Sequence, residues 1–217
     1  MTGLILKDFL VMRRAMRSYL IFLAFYGALA LTGMFDLSVV TAMLQVMLLM
    51  LPISAFSYDE YAGWDRYAMA LPLGRRQVVG ARYLFALLLA LCAAAIGMAA
   101  SVLLSFFRGP LTLTENTLTV LVSLGVGLFI ADILLPLCYK LGPERARPYL
   151  YGVILIPWIV LLGVYKLGLM PEMDFSALER LSQTSILLLF SLIPLTALAG
   201  LGLSWLISCR IVERKEY

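Results

Sequence analysis

Residues 58–83 read YDEYAGWDRYAMALPLGRRQVVGARY, a charged and aromatic passage set between two long apolar runs. Asp59, Glu60, Asp65 and Arg66 come early in it, and Tyr61, Trp64, Ala68 and Leu71 recur at helical spacing. Pro72 and Gly74 then close the helical piece. The pattern predicts a short amphipathic helix followed by a turn. Arg75, Arg76 and Arg82 lead into the next apolar run, where guanidinium groups reach phospholipid headgroups while their stems lie along the lipid. The passage therefore belongs at a membrane surface.

The rest of the chain supports that placement. Of 217 residues, 63% are hydrophobic and 14% charged, too apolar for a soluble core of this size. The apolar runs approach the roughly 20 residues that a helix needs to cross a bilayer, and the period-two alternation of a membrane barrel is absent. The expected class is an all-α polytopic membrane protein with one transmembrane domain over 1–217. Six spans are expected at about 18–34, 38–56, 78–107, 117–139, 149–167 and 185–209. Span one and span two form a hairpin through a link holding Asp36, and Arg108-Gly109-Pro110 ends span three. Thr114 and Asn116 are candidate caps of span four. Residues 168–183 form a polar outer link in which Asp174 is placed to cap a short helix.

Ahead of span one, residues 2–19 place Ile5, Phe9, Met12, Met16 and Tyr19 at spacings of three and four among Lys7, Arg13, Arg14 and Arg17. This is the pattern of an interfacial amphipathic helix that lies along the inner leaflet and runs into span one. A removable leader is the competing reading, and five further spans make so long a leader a poor fit. With the N-terminus inside, only Arg108, Lys166 and Arg180 fall outside, leaving fourteen of the 17 Lys and Arg on the cytoplasmic side. The positive-inside rule then puts both termini, the 58–83 passage and the connector 140–149 in the cytoplasm.

Several function classes are poorly supplied. The chain has no histidine, which removes the usual general base, Ser/His and Cys/His nucleophile pairs and most zinc sets, so neither a catalytic nor a metal site is expected. Cys92, Cys138 and Cys209 lie in or at the ends of apolar runs and read as packing residues. The basic residues flank membrane segments instead of forming a separate basic domain, so nucleic acid is not an expected partner. No G-x-x-x-x-G-K-[ST] phosphate loop occurs, so any ATP-derived energy arrives from another chain.

Two features inside the spans remain. Asp132 lies about seven residues from the cytoplasmic end of span four, roughly 10 Å along the helix. An ionisable group there is a possible functional site, weighed against a structural hydrogen bond between helices. Met43, Met47 and Met50 share one face of span two and could line a pathway for apolar cargo, although such a stripe more often packs against neighbours or lipid.

Taken together, YDEYAGWDRYAMALPLGRRQVVGARYL resembles the signature loop of ABC-2 type transporter permeases, through Asp59, Glu60, Gly63, Trp64, Asp65, Leu71, Pro72, Arg75 and Arg76. The connector LPLCYKLGPERARPY is similar to the second cytoplasmic loop of that family, through Lys140, Gly142, Glu144, Arg145 and Arg147. In size and short outer loops the chain is most similar to the membrane subunits of phenol-soluble modulin and bacteriocin exporters. The resemblance implies a half-transporter in a bacterial cytoplasmic membrane, paired with a second permease, identical or related, and with two ABC ATPase subunits that bind ATP and Mg. This chain itself would carry no cofactor. The 58–83 passage, Tyr58 included, would be the coupling helix that docks on the ATPase, with Tyr61, Trp64 and Leu71 as anchors and Asp59, Glu60, Asp65 and Arg66 setting register. The implied cargo is an amphipathic peptide, with drug, lipid or bacteriocin-immunity roles as alternatives. A proton-coupled carrier using Asp132 and a membrane scaffold using the same loop are the readings outside ATP-driven transport.

Overall fold

A computed structural model describes residues 2–32, 37–64, 67–68, 74–108, 112–166 and 183–214. Six long helices account for almost all of these: α1 (Thr2–Thr32), α2 (Leu37–Tyr61), α3 (Arg75–Arg108), α4 (Thr112–Leu141), α5 (Pro143–Lys166) and α6 (Gln183–Arg214). No strand occurs among the described residues. Asp36, the 109–110 turn, Asp65, Arg66, Leu71, Pro72 and the outer link with Asp174 lie outside them.

The bundle is built around α4, which packs on α2, α3, α5 and most extensively on α6. One core joins Val79, Tyr83 and Ala86 of α3, Leu128, Ala131 and Leu135 of α4, and Ala197 and Leu201 of α6. A second joins Met12 of α1, Leu51 and Ala55 of α2, and Phe85 and Leu89 of α3. A third joins Ile53 of α2, Leu134 and Cys138 of α4, and Ala146 of α5. Small residues set the closest approach. A Cβ on Gly125 of α4 would lie 2.9 Å from the backbone nitrogen of Pro194 on α6, so these two backbones meet where only glycine fits.

The outward faces are apolar. Ile21, Phe25, Leu155, Ile159, Leu188 and Leu203 are all more than half exposed, a girdle far larger than a soluble monomer shows and suited to lipid. Three helices are long and apolar enough to cross a membrane among the described residues: Arg75–Leu103 of α3, Glu115–Leu141 of α4 and Ser185–Arg214 of α6. Among the described residues six long helices are thus present, while three meet that criterion, fewer than the six spans expected.

Residues 2–19 run on into span one as a single helix, with no Pro or Gly at the junction at residue 18. The stripe Ile5, Phe9, Met12, Met16 and Tyr19 packs against α2 and α3, with Met12 fully buried. Two further boundaries, the start of span four and the connector 140–149, differ from the sequence-based expectation. Span four begins at Thr112, ahead of the candidate caps Thr114 and Asn116. The connector 140–149 contracts to Gly142 alone. At φ +85° Gly142 takes the left-handed conformation that ends α4, and Pro143, with its preset φ, starts α5 immediately.

Candidate functional site

Asp59, on α2, pairs with Lys7 of α1 and with Arg82 of α3. The helix of span two does not stop at residue 56; it runs on through Tyr61, so Tyr58, Asp59, Glu60 and Tyr61 project from the last turn of α2. Gly63, at φ +63°, ends this helix, with the Gly63 N–H donating to the Glu60 carbonyl at 3.1 Å. The chain turns there and presents Trp64.

Behind this turn lie four charges from three helices. The Lys7 ammonium donates to both oxygens of Asp59, at 2.7 and 2.9 Å, and lies 3.3 Å from Asp8. Arg82 pairs with Asp59 through Nη2 and with Asp8 through Nη1, the latter at 3.0 Å. Asp8, Asp59 and Arg82 are each less than 9% exposed. Two cations and two anions balance, so burial leaves no net charge out of water. Burial still outweighs the pull of Arg82 and Lys7 at Asp8, and holds that carboxyl above its ordinary range.

Aromatic rings close the cluster. Lys7 stands 4.2 Å from the centroid of Trp64, and Arg82 stands 4.6 Å from that of Phe56. Phe56 meets Tyr139 of α4 edge to face at 4.8 Å. The cavity these residues leave measures about 30 Å³, far too small for a substrate. The quartet is therefore a joint between helices, with Trp64, half-buried, resting on Lys7 at its edge.

The same end of the bundle gathers the other candidate residues. Tyr61 donates to Glu144 of α5 at 2.7 Å, which raises its hydroxyl above the ordinary tyrosine range, and the Glu60 carboxylate lies over Gly142. Arg147 reaches Ser57 at 3.4 Å. Arg75 donates to the Glu213 carbonyl at 3.0 Å and Arg76 to the Glu213 carboxylate at 2.9 Å, joining the start of α3 to the end of α6. Tyr58, Glu60, Tyr61, Gly63, Lys140, Glu144 and Arg145 are exposed there. Asp59 is not, so it acts from behind this surface instead of on it.

Asp132 stands apart, farther along α4. Its Oδ2 packs against Gly200 of α6, and its buried Oδ1 has no hydrogen-bond partner among the described residues. Its backbone carbonyl accepts from Ser204 at 2.6 Å, and Tyr83 shares hydrogen bonds of 2.7 Å with both Ser204 and Ser208. Of the methionine stripe, Met50 packs on the third core, Met47 is half-buried and Met43 is exposed. No group of His, Cys, Asp and Glu placed to hold a metal occurs among the described residues.

Lys7, Asp8 and Arg82 were not singled out as site residues by sequence. They meet Asp59 across 52, 51 and 23 positions, a separation that no local pattern reports.

The family model described as "ABC-2 family transporter protein" matches residues 3–213. No curated protein and no solved structure matches the chain.

Proposed function

The chain belongs to the ABC-2 family of transporter proteins, a membrane transport component, and from that premise we propose that it is the permease subunit of an ATP-driven exporter. Six helices span the bacterial cytoplasmic membrane in this reading, with the basic end and both termini in the cytoplasm. Two permeases form the pathway, and two ABC ATPase subunits, which bind ATP and Mg, dock beneath them.

The observation that supports this best is the construction of the turn at Tyr58, Glu60, Tyr61, Gly63 and Trp64. Tyr58 and Tyr61 are exposed and Trp64 is half-buried over Lys7, while Asp59 behind them is tied to α1 and α3 and Tyr61 is tied to α5. A push on Trp64 is thereby delivered to four helices at once, as a coupling element requires. Asp65, Arg66, Leu71 and Pro72 complete the docking segment, and Lys140, Gly142, Glu144, Arg145 and Arg147 form the adjoining part of the surface. ATP binding draws the two ATPases together, the displaced turns tilt the bundles outward, and hydrolysis resets them. The cargo proposed is an amphipathic peptide of toxin or bacteriocin type, which the flexible thioethers of Met43, Met47 and Met50 would accommodate.

Co-purification with the ATPase encoded beside its gene tests the reading. A stable complex is expected, with ATP hydrolysis in lipid altered by Trp64→Ala and by Asp65→Arg. An ATPase that neither binds nor responds to either change would remove the exporter assignment. Asp132 carries the second reading: pH-gradient-driven flux without any ATPase, abolished in Asp132→Asn, would make the chain a proton-coupled carrier.

A further inference from the structure

At the basic end, α4 and α6 part to leave a groove of about 630 Å³. Its walls are Pro136 and Leu137 on one side and Ile207 and Ile211 on the other, and Lys140 and Arg214 stand at its rim. Lys140 is one turn beyond Pro136 and Arg214 two turns beyond Ile207, so cationic rim and apolar wall succeed one another over about 10 Å. Among the described residues neither cation has an acidic partner. Glu213, beside Arg214, is held by Arg76, and Glu144, just past Lys140, accepts from Tyr61.

A simpler role for both cations is to answer the negative ends of α4 and α6, in whose last turns they lie. Each helix end carries only about half an elementary charge, so the rim stays positive by about one. That surplus stands at the mouth of an apolar trough.

We propose that this groove binds an anionic phospholipid, with the phosphate between Lys140 and Arg214 and the first part of an acyl chain along Pro136, Leu137, Ile207 and Ile211. Basic pockets between membrane helices take such headgroups because phosphate and cation pair where the local dielectric is low. A zwitterionic lipid brings its own cation to the same rim and binds less well. The inference goes beyond the transport reading and requires neither the ATPase nor the cargo.

Native mass spectrometry of the full chain in detergent, titrated with dioleoyl-phosphatidylglycerol or dioleoyl-phosphatidylcholine, tests it. The wild type should retain one phosphatidylglycerol in preference to phosphatidylcholine. Lys140→Gln with Arg214→Gln should weaken phosphatidylglycerol about thirtyfold, from the usual worth of two basic residues at a membrane surface. Arg13→Gln with Arg14→Gln, which removes the same charge from exposed positions on α1, should leave that affinity unchanged. Ile211→Trp keeps the cations and fills the trough, and should also weaken binding; melting followed by circular dichroism checks that each variant is folded. Equal retention of the two lipids by the wild type would overturn the proposal. So would an Arg13/Arg14 loss matching that of the rim variant, or undiminished binding in Ile211→Trp.

Discussion

The quartet Lys7–Asp8–Asp59–Arg82 and the polar group around Asp132 are both buried polar sites between helices, built on opposite terms. In the quartet every charge has a counter-charge within 3.3 Å. At Asp132 a single carboxylate has one oxygen without a partner, and its neighbours Tyr83, Ser204 and Ser208 form a neutral hydroxyl chain among themselves. A compensated cluster punishes the loss of any one member, because the remainder is left charged and out of water. A site that is already uncompensated has less to lose.

The largest effect should follow Arg82→Met, which strands Asp8 and Asp59 with Lys7 alone. A loss of about 3–5 kcal/mol is expected in reversible unfolding in mixed micelles, typical of breaking a buried pair. Replacing all four charges with Met and Leu together should recover most of that loss. If the quadruple variant is as unstable as Arg82→Met, the quartet is not what holds α1 to α2 and α3.

Within the quartet the two acids should differ. Asp59 accepts from both Lys7 and Arg82, whereas burial already holds the Asp8 carboxyl above its ordinary range. Asp8→Asn should therefore lower the thermal midpoint less than Asp59→Asn. The sign in pH follows. Asp8 binds its proton more readily folded than unfolded, so its share of stability is complete below about pH 3.8 and is lost as pH rises through the raised value. Melts across the acid range should show this trend in the wild type and not in Asp8→Asn.

On the α4–α6 side, Gly125→Ala should cost about 1–3 kcal/mol, because its methyl meets the Pro194 backbone, which cannot rotate away. Steric-trap or denaturant unfolding in bicelles measures it. Tyr83→Phe should cost about 0.6 kcal/mol, the usual worth of a hydrogen bond between membrane helices. Asp132→Asn should change stability least. A loss at Asp132 comparable to that at Arg82 would erase the contrast between the two sites.

Much of this was legible beforehand, and the reasons are local. The basic flanks of the apolar runs are signals read within a few residues, and they located α3 and α6 closely, whereas α5 begins at Pro143, six residues ahead of the expected 149. Glu60, Gly63 and Trp64 stood out by composition for the same reason. The packing of α1 was hidden because Lys7, Arg13, Arg14 and Arg17 look like a surface segment, and nothing along the chain tells that Ile5, Phe9 and Met12 face Phe85 and Leu51. Asp59 read as a surface acid for the same reason: its cations are contributed by α1 and α3, and burial is a property of the assembled bundle.

The balance of the quartet has an electrical consequence. A charge displaced through the whole membrane potential exchanges about 2.3 kcal/mol per 100 mV. Two positive and two negative side chains moving as one body exchange none, whatever the direction of travel. The joint between α1, α2 and α3 can shift without the resting voltage helping or hindering it, so any current recorded during turnover will belong to cargo or to ions, and not to this part of the machine.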